Sequence, residues 1–92
     1  MIVRISSEGQ FRLDSDEIDR LNEMDNELVD RISRGDGEGF STLFAEMLQF
    51  VRQQGERLTD DELVESEVIL PPPDLTLDEA RRLFQGEGLV PD

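Results

Sequence analysis

The apolar residues of this chain fall into three helical patterns and three short extended runs. The broadest pattern is FSTLFAEMLQFV at 40–51, where Phe40, Leu43, Phe44, Met47, Leu48, Phe50 and Val51 recur at helical spacing. At about 100° per residue they cover an arc of roughly 160°, wider than the usual core-facing stripe of a surface helix. A helix with that face needs cover from two sides. It is therefore predicted to be the central element, and it holds three of the five phenylalanines in a chain without Trp or Tyr.

Upstream, IVRI at 2–5 and QFRL at 10–13 are short β-type runs separated by SSEG at 6–9, the pattern of a hairpin with a glycine in its loop. Alternation places Val3, Ile5, Phe11 and Leu13 on the inner face and Arg4, Gln10 and Arg12 outside. Two strands are marginal alone, so the hairpin must lean on helices or gain a third strand.

DSDE at 14–17 reads as a helix start, with Asp14 as N-cap, Glu17 completing a capping box and acids favourable to the helix dipole. Ile18, Leu21, Met24, Leu28, Val29 and Ile32 then share one face, and Gly35 stops a helix of about 20 residues and about 30 Å. The link GDGEG at 35–39 is short, which predicts an antiparallel αα-hairpin with Asp36 capping the central helix. Gly55 ends that helix.

The polar, acidic stretch 56–67 is expected to be pinned by Leu58, Leu63 and Val64. Val68, Ile69 and Leu70 form a candidate third strand running into Pro71, Pro72 and Pro73, so its last residues belong on an edge; the prolines read first as a rigid spacer and, more weakly, as a ligand for an aromatic groove. TLDE at 76–79 is a second capping box, opening a helix over about 77–85 with Leu77, Ala80, Leu83 and Phe84 on its apolar side and Gly86, Glu87 and Gly88 as its stop. The fold class is therefore α+β: an N-terminal β-hairpin with a third strand near 67–70, packed on a long αα-hairpin, plus a short C-terminal helix. One domain spans 1–92, with the hairpin at 1–13, the αα-hairpin at 14–55 and the acidic connector, Pro-rich segment and short helix at 56–92. A domain of that size buries only about 60–65 % of its unfolded surface, which leaves little volume for a deep pocket.

Charge alters this picture. The net charge is −14, with 23 acids against 9 basic residues, all of them Arg. Such a surface repels nucleic acid and anionic lipid and is drawn to basic protein surfaces. Asp16, Asp19, Glu23, Glu27 and Asp30 line the first helix opposite its apolar face. A solvated surface is the simpler account of that ridge; a docking ridge for a basic partner helix is the functional one. Asp25 breaks the pattern by falling within the apolar arc, where a carboxylate needs hydrogen bonds or a cation. Arg4, Arg12 and Arg52, or a backbone end nearby, are its candidate partners in a structural clamp, with an interface role as the lesser alternative.

Candidate chemistry is sparse. The chain has no His, Cys, Lys or Tyr, which removes the common bases, nucleophiles and soft metal ligands. The glycines at 35–39 lack the Lys and Ser or Thr of a phosphate loop, and Asp36 and Glu38 would repel phosphate. Read as a calcium loop from Asp36, the segment has Phe40 at its fifth position and Met47 where the final Glu belongs. Asp60, Asp61 and Glu62 are expected to sit in water, with at most weak affinity for a divalent cation. No catalytic residue, cofactor or metal is expected. No apolar run approaches the ~20 residues that span a bilayer, and MIVRISSEG lacks the apolar segment of a signal peptide. A cytoplasmic protein is expected.

MIVRISSEGQF at 1–11, LNEMDNELV at 21–29, ILPPPDLTLDEA at 69–80 and GEGLVPD at 86–92, taken in that order, resemble the PspA-associated protein family (PspAA), small acidic proteins of the bacterial phage-shock or envelope-stress response. The resemblance implies association with PspA, a coiled-coil membrane-remodelling protein, and a role as a non-enzymatic adaptor or regulator, with recruitment to the inner face of the membrane through that partner. It supplies no binding residues; Asp16, Asp19, Glu23, Glu27 and Asp30 remain the candidates from the sequence pattern. Two other readings stay open: an acidic mimic of nucleic acid, or other module, that occupies a basic protein surface, and a small metal-dependent enzyme. The wide apolar arc at 40–51 also leaves room for a homodimer.

Overall fold

The structure is a computed structural model of the chain and describes residues 1–6, 8–59 and 64–83. In chain order the elements are β1 (Ile2–Ile5), β2 (Gly9–Arg12), α1 (Ser15–Ser33), α2 (Gly37–Gln54), β3 (Glu56–Arg57), β4 (Val68–Leu70) and α3 (Leu77–Leu83). The fold is α+β, with the N-terminal hairpin and the two long helices predicted from the apolar pattern.

β1 and β2 pair antiparallel with Val3 opposite Phe11 and Arg4 opposite Gln10, as strict alternation requires. Gly9 takes φ 137°, a conformation that side chains rarely adopt and that the loop glycine was expected to supply; it is also the first residue of β2. The predicted third strand forms: β4 runs parallel to β1, with Val3 opposite Val68 and Ile5 opposite Leu70. A further strand, β3, was not expected. It pairs with β2 through Phe11 opposite Arg57, giving a four-stranded sheet in the order β3-β2-β1-β4. Val68 and Leu70 are buried, whereas Ile69 between them is 58 % exposed.

The capping box at the start of α1 is fully formed. Asp14 accepts from the Glu17 N–H and Glu17 accepts from the Asp14 N–H, both at 2.9 Å. Ile18, Leu21, Met24, Leu28 and Ile32 are buried, and Val29 is partly so. Asp36 caps α2 by accepting from the Gly39 N–H at 2.9 Å. On α2, Phe40, Phe44, Met47, Leu48 and Val51 are buried, with Phe40 and Phe44 stacked at 5.6 Å. Leu43 and Phe50, at the rim of the wide arc, stay partly exposed.

One core forms where the inner face of the sheet meets α1 and α2, and Ala80 of α3 closes onto it. The α3 box forms as predicted, with Glu79 accepting from the Thr76 N–H at 3.0 Å and Thr76 Oγ1 accepting from the Glu79 N–H at 3.2 Å. Leu58 is buried as expected. Val64 corrects the reading, being 39 % exposed rather than pinned. What anchors this stretch is polar: Gln10 Nε2 donates to the Val64 carbonyl at 2.9 Å and to Ser66 Oγ at 2.7 Å. Gln10 projects from the face of the sheet turned away from the helices, so it holds residues 64–66 across that face. Leu63, the acidic run 60–62, the Leu83 side chain and everything expected of 84–92 lie outside the described residues.

Candidate functional site

A 19-residue helix with one buried stripe must turn its remaining positions to water, and α1 fills those positions with carboxylates. Asp16, Asp19, Glu23, Glu27 and Asp30 are all exposed. At the helical pitch they fall in an arc of about 80°, directly opposite the buried stripe. Arg20 reaches Glu23 at 3.0 Å and Arg34 reaches Asp30 at 3.2 Å. Exposed pairs of this kind are weak, about 0–1 kcal/mol, and leave both carboxylates available to a stronger partner. Among the described residues no basic group pairs with Asp16, Asp19 or Glu27. The ridge identified in the sequence is thus one continuous surface.

Asp25 faces the other way. It is 1 % exposed, within the stripe of Leu21, Met24, Leu28 and Ile32, and it is engaged in a polar or electrostatic interaction. Of its three candidate cations, Arg52 is committed elsewhere, and this is a correction. Arg52 grips Glu8 at the hairpin turn, Nε donating to Oε1 at 2.7 Å and Nη2 to Oε2 at 2.5 Å. These hydrogen bonds hold the Glu8 carboxyl below its usual range against partial desolvation, and they push the Arg52 guanidinium up. Arg57 adds a hydrogen bond from its guanidinium to the Glu8 carbonyl at 3.0 Å, and its side chain lies over the Phe11 ring at 6.0 Å. Sequence reasoning missed this clasp because its members are 44 and 49 residues apart and none breaks a local pattern.

Between α1 and α2 the surface is indented. One depression of about 480 Å³ is lined by Glu27, Arg31, Leu43 and Glu46, among others, and Arg31 lies 3.7 Å from Asp36 at its end. Among the described residues no group of three or more Asp or Glu side chains is placed to hold a metal ion. No described helix is long and apolar enough to cross a membrane. The chemistry this surface offers is charge, in the exposed carboxylates of α1 and the mixed rim of the depression beside it.

The sequence model of the PspA-Associated protein family matches residues 1–92, the whole chain. No curated protein gives a significant match, and neither does any solved structure. The end-to-end match carries the four stretches in which the resemblance was read, with the hairpin, the first helix and the third-helix cap among them. The chain belongs to the PspA-associated protein family, whose name implies association with PspA.

Proposed function

We propose that this chain is a non-enzymatic adaptor or regulator that binds a PspA-like membrane-stress protein through the acidic face of α1. The observation that carries the reading is the ridge of Asp16, Asp19, Glu23, Glu27 and Asp30, exposed and opposite the helix face buried in the core. A rigid helix offers such a row to a basic partner helix at little entropic cost, and charge of this sign speeds encounter with it. The partner in this reading is a coiled-coil, membrane-remodelling protein of the phage-shock or envelope-stress response. The chain reaches the inner face of the membrane only through it, because its own net charge of −14 repels anionic lipid. Catalysis has no part in this reading, since the chain lacks His, Cys, Lys and Tyr.

The test is a titration of PspA with the wild-type chain and with a variant carrying Asp19→Arg and Glu23→Arg, at low and raised ionic strength. The reading expects wild-type binding that weakens with salt, and reversal of the two charges to weaken it by about tenfold or more at low salt. Equal affinity of both proteins for PspA would exclude α1 as the binding face.

A further inference from the structure

The seam between α1 and α2 is open on the side that carries Leu43 and Phe50. Both pack on the core while staying partly exposed. They stand seven positions apart on α2, about 10 Å along its axis. Leu43 lies in the 480 Å³ depression with Glu27 and Glu46. Phe50 lies in a second one, of about 680 Å³, with Arg20, Met24 and again Glu46. Glu46 lines both, and Leu43 and Phe50 are the partly exposed apolar residues along them, while Met24 is buried in the lining of the larger one, which extends across α2 to Pro73 and Leu75. Anchors at i and i+7 are the spacing with which an amphipathic helix occupies a groove.

Charge selects among the helices that could lie there. Around Leu43 stand Glu27, Asp36, Glu38 and Glu46 against Arg31, which is itself beside Asp36. Around Phe50, Arg20 and Arg52 are held by Glu23 and Glu8. A second copy of this chain brings a charge of −14, and its own residues 84–92 bring Glu87 and Asp92 with no basic residue, so both are poorly matched to such a rim. Glu27 belongs to the rim and to the exposed ridge of α1 alike, so seam and ridge are continuous.

We infer that the α1–α2 seam docks an amphipathic helix of the partner, its apolar stripe seated on Leu43 and Phe50 and its Lys or Arg residues bordering the stripe at the Leu43 end. This rests on the reading that PspA is the partner, and it adds where the apolar part of the contact lies. The ridge supplies attraction; the seam supplies the anchors.

The experiment is a titration of full-length PspA with the full chain as wild type, Leu43→Gln, Phe50→Gln, Glu46→Lys and Asp19→Arg, each checked by circular dichroism and thermal melting, with the mass of each variant measured alone. Leu43→Gln and Phe50→Gln are expected to weaken binding by about tenfold or more, at raised salt as well as low. Glu46 is exposed, so Glu46→Lys leaves the fold intact and reads the seam even if an apolar variant melts early; it too is expected to weaken binding. Wild-type affinity in all three seam variants, with loss only in Asp19→Arg, overturns the seam and leaves the ridge reading standing. Absence of wild-type binding overturns both. A wild-type dimer that the seam variants convert to monomer without loss of PspA affinity overturns the inference in favour of a second copy.

Discussion

Glu8 and Arg52 face each other in a parallel two-bond fork, 44 residues apart in sequence, that fastens the turn between β1 and β2 to the end of α2. Both side chains are about two-thirds or more withdrawn from water, at 33 % and 26 % exposure for Arg52 and Glu8, so the fork is stronger than a surface pair. The sign of its pH dependence follows from the depressed Glu8 carboxyl. Its stabilisation is complete above the ordinary carboxylate value of 4.5 and is lost as pH falls through the lower folded value. Glu8→Gln should therefore melt below wild type at neutral pH by the equivalent of about 1 kcal/mol, and the gap should close only at pH below 4.5. Parallel melting curves of the two proteins from neutral to acid pH check this; a gap that persists unchanged into strong acid contradicts it.

Asp25 is expected to act as a polar clamp within the α1 stripe. Asp25→Ala removes a buried, engaged carboxylate, and a loss of about 2 kcal/mol is expected. Asp19→Ala, on the exposed face of the same helix, should change stability by less than about 0.5 kcal/mol. Urea denaturation of the two variants makes the comparison. Equal midpoints would remove the clamp.

Gly55 ends α2 where the chain passes close to the sheet. A methyl group there would stand 2.6 Å from the Val51 carbonyl oxygen and 2.9 Å from Phe11 Cβ, neither of which moves easily. Gly55→Ala should cost about 1–3 kcal/mol, and the loss should appear as a lower melting temperature. A variant as stable as wild type would mean that α2 and β2 are not held at this separation.

Gln10 holds residues 64–66 to the outer face of the sheet with two hydrogen bonds. Gln10→Ala is expected to loosen this segment locally rather than unfold the domain, at about 1 kcal/mol. Hydrogen exchange reads the difference: the Glu67 amide, bonded to the Ile2 carbonyl, should lose protection, while amides of α1 and α2 keep theirs.

Of these four sites, Asp25 and Gly55 were readable in the sequence, and the Glu8 fork and the Gln10 anchor were not. The helices were legible because their signals are local: Asp14 with Glu17, Asp36 before Gly37, Thr76 with Glu79, and apolar residues at a period that only a helix satisfies. The inner face of the hairpin was legible for the same reason. β3 was not, because two exposed residues, Glu56 and Arg57, carry no alternation and are strands only through pairing with β2. The clasp of Glu8 and the anchor at Gln10 depend on contacts across 44 to 56 residues, which no local pattern encodes. Val64 was expected to bury because it is apolar, yet its backbone carbonyl, not its side chain, makes the attachment. On the site, the ridge followed from helical geometry once α1 was recognised. The seam did not, since Leu43 and Phe50 read as core residues until the fold left them partly exposed.

The most direct test of the account is the mass in solution of the chain, of PspA and of their mixture, measured by light scattering at low and raised ionic strength. The account predicts that at low ionic strength the mixture contains a species holding both proteins, and that salt dissociates part of it because attraction by the α1 ridge is screened. Two unchanged, separate masses at low ionic strength, where attraction of opposite charges is greatest, would contradict it.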